Sequence, residues 1–121
     1  MKKLLFSVLT MCLVSLGASA QTKAIDTFTV LTPTVQCEKC KTAIEGVLKR
    51  YDGVMVAKVN VKNKTTFVKF ITDRTNKEII KAAIANAGYD ANEIAANPDV
   101  YKTLPKCCKK PEDGGGPPKK Q

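Results

Sequence analysis

The segment Val35-Gln36-Cys37-Glu38-Lys39-Cys40 constrains this chain most, because it places two cysteines three residues apart. Residues 27–31 before it alternate polar and apolar side chains, which predicts a half-buried strand. After it, apolar residues recur every three or four positions, which predicts an amphipathic helix from Glu38 to Tyr51. Cys37 then lies in the connecting loop and Cys40 in the first helical turn, with both side chains on one side. Such a pair is a metal site, a redox dithiol or a structural disulfide.

The N-terminus has the features of an export signal. Lys2 and Lys3 precede an apolar stretch over residues 4–16, and small residues occupy positions 18–20. This pattern predicts a signal peptide over residues 1–20, cleaved after Ala20. The apolar stretch is shorter than the roughly 20 residues of a membrane-spanning helix, although an uncleaved anchor is the alternative. We therefore expect a periplasmic or otherwise exported protein.

The net charge and the absence of histidine limit the classes of function that the chain can have. The chain has a formal net charge of +9 and no histidine. Without imidazole, general-base catalysis near neutral pH is disfavoured, so we expect no enzyme activity. The lysines are spread along the whole chain, which favours a solvated basic surface over a nucleic-acid site. We expect no nucleic-acid partner.

The apolar pattern predicts an α+β fold with the element order βαββαβ. In a ferredoxin-like sandwich, this order gives a four-stranded antiparallel sheet with two helices on one face. The predicted domain covers residues 27–96, between a disordered lead at 21–26 and a tail at 97–121 that is disordered from Glu112. The predicted elements are strands at 27–32, 54–61, 65–71 and 89–94, and helices at 38–51 and 75–88, the second capped by Thr75.

A second cysteine pair, Cys107-Cys108, lies in the predicted tail. An exported protein with paired cysteines usually forms disulfides. Adjacent cysteines, however, can bond to each other only through a strained ring, so these two are candidates for ligands or exchangeable thiols. If the tail folds back, Cys107 or Cys108 is a candidate third metal ligand. The alternative is an independent thiol pair near a flexible end.

Several segments together resemble the heavy-metal-associated domain. They are the C-x-x-C in the first loop and the blocks Gly53-Val54, Ala57-Lys58-Val59-Asn60-Val61 and Ala87-Gly88-Tyr89-Asp90-Ala91. This family includes copper chaperones, the N-terminal modules of metal-pumping ATPases and periplasmic mercury-binding proteins. The resemblance covers residues 28–95. It implies that Cys37 and Cys40 bind one soft metal ion and pass it on by thiolate exchange.

The resemblance also assigns expectations to two further residues. The family usually has Gly-Met-Thr before the first cysteine, whereas this chain has Thr34-Val35-Gln36. We expect Val35 to fill the core position of that methionine. Tyr89 resembles the tyrosine of bacterial copper chaperones and is a candidate shield for the metal. The alternative for Tyr89 is an ordinary core aromatic.

The predicted function is that of an exported, non-enzymatic carrier of one soft metal ion. Two thiolates suit near-linear Cu(I) or Hg(II), whereas zinc prefers four ligands. Tyr89 favours Cu(I), and Zn(II) and Cd(II) are further candidates. We expect a monomer whose partner is a membrane metal transporter or another metal-binding protein. The alternative is a periplasmic thiol-disulfide oxidoreductase that uses the same C-x-x-C. The absence of tryptophan and of a thioredoxin-like element order counts against it.

Overall fold

The computed structural model describes residues 24–116. The predicted signal peptide lies outside the described residues, as do residues 117–121. The described helices and strands, in chain order, are β1 (Ile25–Leu31), α1 (Glu38–Lys49), β2 (Val54–Asn60), β3 (Thr65–Ile71), α2 (Lys77–Asn86) and α3 (Pro98–Tyr101), followed by two short 3₁₀ helices at Lys106–Cys108 and Pro111–Asp113. Within residues 24–116, no helix has the length and apolar character that crossing a membrane requires.

The three strands form an antiparallel sheet in the order β1-β3-β2. Phe67 in the central strand pairs with Thr29 on one side and Lys58 on the other. Because side chains alternate along a strand, their neighbours Val68 and Ala57 point to the opposite face and are buried there. One face of the sheet therefore forms half of the core.

Two helices cover that buried face. Helix α1 buries Cys40, Ile44 and Leu48, and α2 buries a second apolar set at Ile80, Ala83 and Ile84. The side chain of Asn76 caps α2 by accepting a hydrogen bond of 2.9 Å from the backbone N–H of Ile79. The prediction that Thr75 is the cap was wrong by one residue. Its buried hydroxyl has no hydrogen-bond partner among the described residues.

The predicted fourth strand at 89–94 does not form within the described residues. Asn92 adopts a left-handed conformation with φ of 51°, and the chain reverses so that Ala91 and Ile94 bond to each other. Asn92 also occupies the edge of β1, because its N–H donates to Leu31 O (2.9 Å) and its Oδ1 accepts from Leu31 N (2.7 Å). Asparagine tolerates this conformation well. Within residues 24–116 the sheet therefore has three strands, and the predicted four-stranded ferredoxin-like sheet is not confirmed.

Both ends of the described chain are more ordered than the sequence suggested. Strand β1 begins at Ile25, inside the predicted disordered lead, and Ala24 O accepts a hydrogen bond from Thr72 N. At the other end, the predicted disorder from Glu112 is contradicted up to residue 116. Gly115 N donates to Lys110 O (3.0 Å) and Gly116 N to Lys106 O (3.1 Å), which closes the tail into a compact loop.

Candidate metal centre

The motif cysteines, Cys37 and Cys40, lie at the start of α1. Cys37 is the N-cap residue, with an extended backbone, and its carbonyl accepts a hydrogen bond of 3.2 Å from Lys41 N. Cys40 follows in the first turn, so its side chain points to the same side as that of Cys37. Their Sγ atoms are 3.3 Å apart. Cys40 is fully buried and Cys37 is half-buried, so only Cys37 is open to solvent.

Three contacts hold the loop that carries Cys37. Val35 is completely buried, which confirms the expectation that it packs into the core. Lys64 Nζ donates a hydrogen bond of 2.6 Å to Val35 O. Thr34 Oγ1 accepts one of 3.1 Å from Asp90 N, which ties this loop to the loop after α2. The loop is thus fixed without the glycine and methionine that the family usually has.

The tail cysteines, Cys107 and Cys108, lie beside the motif cysteines. Cys37 Sγ is 2.8 Å from Cys107 Sγ and 3.7 Å from Cys108 Sγ, and the two tail Sγ atoms are 4.0 Å apart. The Sγ atoms of Cys37, Cys40 and Cys108 all lie within 4.8 Å of one another. All four are free thiols. The structure therefore brings every predicted cysteine to one place.

The tail is held there by contacts that no sequence pattern predicts. Gln36 Nε2 donates to Lys109 O (2.7 Å), which links the motif loop directly to the tail. The Tyr101 hydroxyl accepts from Lys110 N (2.8 Å) and donates to Asp113 Oδ2 (2.5 Å). Gln36 immediately precedes Cys37, but nothing in the motif marks it as a tail contact. The identity of a single polar residue does not indicate which residue it will bond to.

Tyr89 is a core aromatic whose hydroxyl faces the cysteines. It is 1% exposed, and its hydroxyl has no well-formed hydrogen bond among the described residues. Burial raises the pKa of the Tyr89 hydroxyl, and the neighbouring Cys108 and Cys40 raise it further. The hydroxyl therefore keeps its proton and is a donor without a formal acceptor. The burial of Tyr89 fits the interpretation as a core aromatic, and its role as a metal shield stays a prediction.

Cys37, Cys107 and Cys108 differ in acidity. Burial opposes ionisation of Cys37, but its hydrogen bonds with Cys107, with the Cys40 backbone and with the side chains of Cys40 and Cys108 lower its pKa to about 7. The hydrogen bond with Cys37 raises the pKa of Cys107. Burial, followed by contacts with Cys40, raises the pKa of Cys108. Of Cys37, Cys107 and Cys108, Cys37 therefore ionises most readily.

Comparison with known proteins identifies the family of the domain that carries the motif cysteines. Residues 29–90 match the heavy-metal-associated domain. The chain belongs to the heavy-metal-associated domain family. The matched range contains the motif cysteines and Tyr89 and ends before the tail cysteines, so Cys107 and Cys108 are additions to the family domain in this chain.

The relatives of this chain include proteins named for mercury transport and proteins named for copper export. It is 35% identical over 77 residues to the mercuric transport protein periplasmic component of Shewanella putrefaciens, covering 64% of this chain and 81% of that protein. It is 38% identical over 55 residues to a copper-exporting P-type ATPase of Staphylococcus epidermidis strain RP62A, covering 46% of this chain but only 7% of the ATPase. Among solved structures, a CopZ metallochaperone is 30% identical, with a TM-score of 0.53 over 55% of this chain and 98% of the other.

Proposed function

We propose that this protein is an exported, non-enzymatic carrier that binds one soft metal ion through Cys37 and Cys40 and passes it on by ligand exchange. The observation that carries this proposal is the thiol pair itself, with Sγ atoms 3.3 Å apart at the start of α1. Family membership supports the proposal, since relatives are named for mercuric transport, copper export and metallochaperone activity. The alternative, a thiol-disulfide oxidoreductase, gains no support from the family.

The acidity of Cys37 gives the incoming ion its first ligand. A pKa of about 7 leaves a large share of Cys37 ionised near neutral pH. A thiolate is the form of cysteine that binds metals, and soft thiolates select Cu(I), Hg(II), Cd(II) and Zn(II) over hard ions. Once the ion is bound at Cys37, its charge displaces the proton of Cys40, and the second metal–sulfur bond forms.

Exposure determines how the ion leaves. Cys37 is half-buried and Cys40 fully buried, so a partner thiolate approaches the ion on the Cys37 side. The partner's metal–sulfur bond forms first, the bond to Cys37 then breaks, and a second partner ligand displaces Cys40 in the same way. Cys37 regains a proton, and no electrons are transferred in this step. The partner is a membrane metal transporter or another metal-binding protein, as the transport and export names of the relatives suggest.

We place Cu(I) first and Hg(II) second, with Zn(II) and Cd(II) as weaker candidates. Tyr89 supports copper, because it resembles the tyrosine of bacterial copper chaperones and is buried beside the thiols. The predicted signal peptide supports export, as does the periplasmic component of Shewanella putrefaciens. We propose that the protein acts as a monomer.

The test is an anaerobic titration of the reduced protein with Cu(I) against a competing chelator, repeated with Hg(II). The wild type should bind one equivalent tightly, and Cys37→Ser/Cys40→Ser should lose that binding. Met55→Ala is a matched control, because Met55 is a soft sulfur donor exposed on β2. Binding that survives unchanged in the double serine variant would contradict the proposal. So would rapid disulfide exchange with a substrate by a wild type that binds no soft metal.

A further inference from the structure

The tail contributes a buried sulfur to the motif pair. Cys108 is 1% exposed, and its Sγ belongs to the three-sulfur group with Cys37 and Cys40. Cys107 is half-buried and contacts only Cys37 and Cys108 among the thiols. The two tail cysteines are therefore not equivalent. Cys108 faces the interior of the site, and Cys107 lies at its edge.

The sulfur–sulfur separations favour three ligands over two. With a metal–sulfur bond of about 2.3 Å, a linear ion separates its two sulfurs by about 4.6 Å and a planar three-coordinate ion by about 4.0 Å. Cys37 Sγ is 3.3 Å from Cys40 Sγ and 3.7 Å from Cys108 Sγ. Both distances are closer to the three-coordinate value than to the linear one. A linear site would require the Sγ atoms of Cys37 and Cys40 to move apart by more than about 1 Å by the same estimate.

The position of Cys108 is built into the fold. Its N–H donates to Pro105 O (2.9 Å), and Gly116 N closes the same turn through Lys106 O. Gln36 and Tyr101 attach the following residues to the motif loop and to α3. The tail is therefore a structured arm whose buried end is Cys108.

A second, independent observation concerns Tyr89. Its hydroxyl is buried without a well-formed hydrogen bond and lies beside Cys108 and Cys40. An unpartnered buried donor costs about 1–3 kcal/mol, and a thiolate sulfur is an acceptor that would relieve this cost. Metal-bound Cys108 and Cys40 are such thiolates. Lys106, Lys109 and Lys110 flank the tail pair in sequence and offset the negative charge of an additional thiolate.

We propose that Cys108 is a third metal ligand, so that this chain holds its ion in a three-sulfur site formed by Cys37, Cys40 and Cys108. This inference rests on the proposed function, because it requires the motif cysteines to bind the ion. Cys107 lies outside the three-sulfur set. Handover then includes one more exchange, in which a partner thiolate forms a metal–sulfur bond, the bond to Cys108 breaks, and Cys108 regains a proton.

The experiment counts the sulfurs around the metal. Full-length protein loaded with one equivalent of Cu(I), and separately with Hg(II), is studied by X-ray absorption at the metal edge. The wild type should show three sulfurs, Cys108→Ser two, and the matched control Cys107→Ser three. Chelator competition should show Cu(I) affinity at least about tenfold weaker for Cys108→Ser, since losing even an outer-shell partner typically costs 10–100-fold. Cys108→Ala repeats the test without burying a hydroxyl.

The outcomes separate this inference from the proposed function. Two sulfurs in the wild type, or unchanged affinity in both Cys108 variants, would overturn the three-sulfur site while leaving the motif pair intact. A count that falls in Cys107→Ser but not in Cys108→Ser would overturn the assignment to Cys108. If Cys37→Ser/Cys40→Ser still binds the ion, the proposed function itself fails. Circular dichroism of each variant, compared with the wild type, verifies that the fold is kept.

Discussion

The two cysteine pairs reach the same place by different means. The motif cysteines are fixed by regular structure, because α1 carries Cys40 into a core formed with the sheet and α2. The tail cysteines follow α3 and lie on a short 3₁₀ helix that a few side-chain and turn hydrogen bonds hold in place. A well-packed core moves little, whereas a segment with few buried contacts opens at low free-energy cost. The comparison indicates a rigid motif pair and a tail pair that is more easily displaced.

The largest effect should come from the core beneath the motif cysteines. Leu48 is fully buried in α1. Leu48→Ala should lower the free energy of unfolding by about 2–5 kcal/mol, because it removes buried methyl groups and leaves a cavity. Chemical denaturation measures this change. Met55→Ala, at a residue 48% exposed on β2, is the control and should change stability little. A loss below 1 kcal/mol for Leu48→Ala would contradict the packing described for α1.

The turn that replaces the predicted fourth strand should have a smaller effect. Asn92→Ala loses the hydrogen bond from Leu31 N and places alanine, which tolerates left-handed backbone less well than asparagine, at a φ of 51°. The expected loss in unfolding free energy is about 1–3 kcal/mol. Asn92→Gly removes the same hydrogen bond but accommodates the backbone, so it should cost less. Equal losses for alanine and glycine would show that the left-handed conformation is unimportant.

Loosening the tail should be smaller still and local. Tyr101→Phe removes the hydroxyl that accepts from Lys110 N and donates to Asp113. A hydrogen bond of this kind contributes about 1 kcal/mol. Amide exchange should therefore quicken over residues 105–116 while global unfolding stays nearly unchanged. Tyr51→Phe, on a half-exposed tyrosine after α1, is the control. Faster exchange in α1 as well would contradict the separation into a rigid and a displaceable pair.

The smallest effect is that of the tail residue Cys107 on the pKa of Cys37 in the metal-free protein. The pKa of Cys37 is about 7, so its alkylation rate should rise as pH passes from 6 to 8. The hydrogen bond between Cys37 and Cys107 lowers the pKa of Cys37, so Cys107→Ala should raise that pKa and move this rise to higher pH. Because the folded-state pKa lies below the ordinary thiol value of 9.0, the contribution of Cys37 to stability is lost as pH falls through about 7. An unchanged alkylation profile in Cys107→Ala would show that the tail does not tune the motif.

The sequence predicted the elements whose apolar residues recur at regular spacing. The helices, the first three strands and the burial of Val35 follow from apolar periodicity and from the family resemblance. The fourth strand was wrong because residues 89–94 contain an asparagine whose left-handed turn competes with extension. The pattern of apolar residues alone does not show that this turn is favoured over a strand.

The site was predictable only in part. The spacing of Cys37 and Cys40 fixes their proximity, because residues three apart share a helix face. The distance between Cys37 and Cys108 depends on the path of a tail without periodicity. That path is set by single contacts, such as the hydrogen bond between Gln36 and Lys109. Another is the packing of the Leu104 side chain against Gly88, where an added Cβ would lie about 3.2 Å from Leu104. Such contacts leave no repeating signal in the sequence.

A double-mutant cycle on Cu(I) affinity tests most directly whether the two pairs form one site. Chelator competition is measured for the wild type, Cys40→Ser, Cys108→Ser and the combined variant. If both sulfurs bind one ion, the two losses are not additive, and removing Cys108 costs more when Cys40 is already absent. Unchanged affinity on removing Cys108 in both backgrounds would contradict the account and leave the tail as a separate thiol pair.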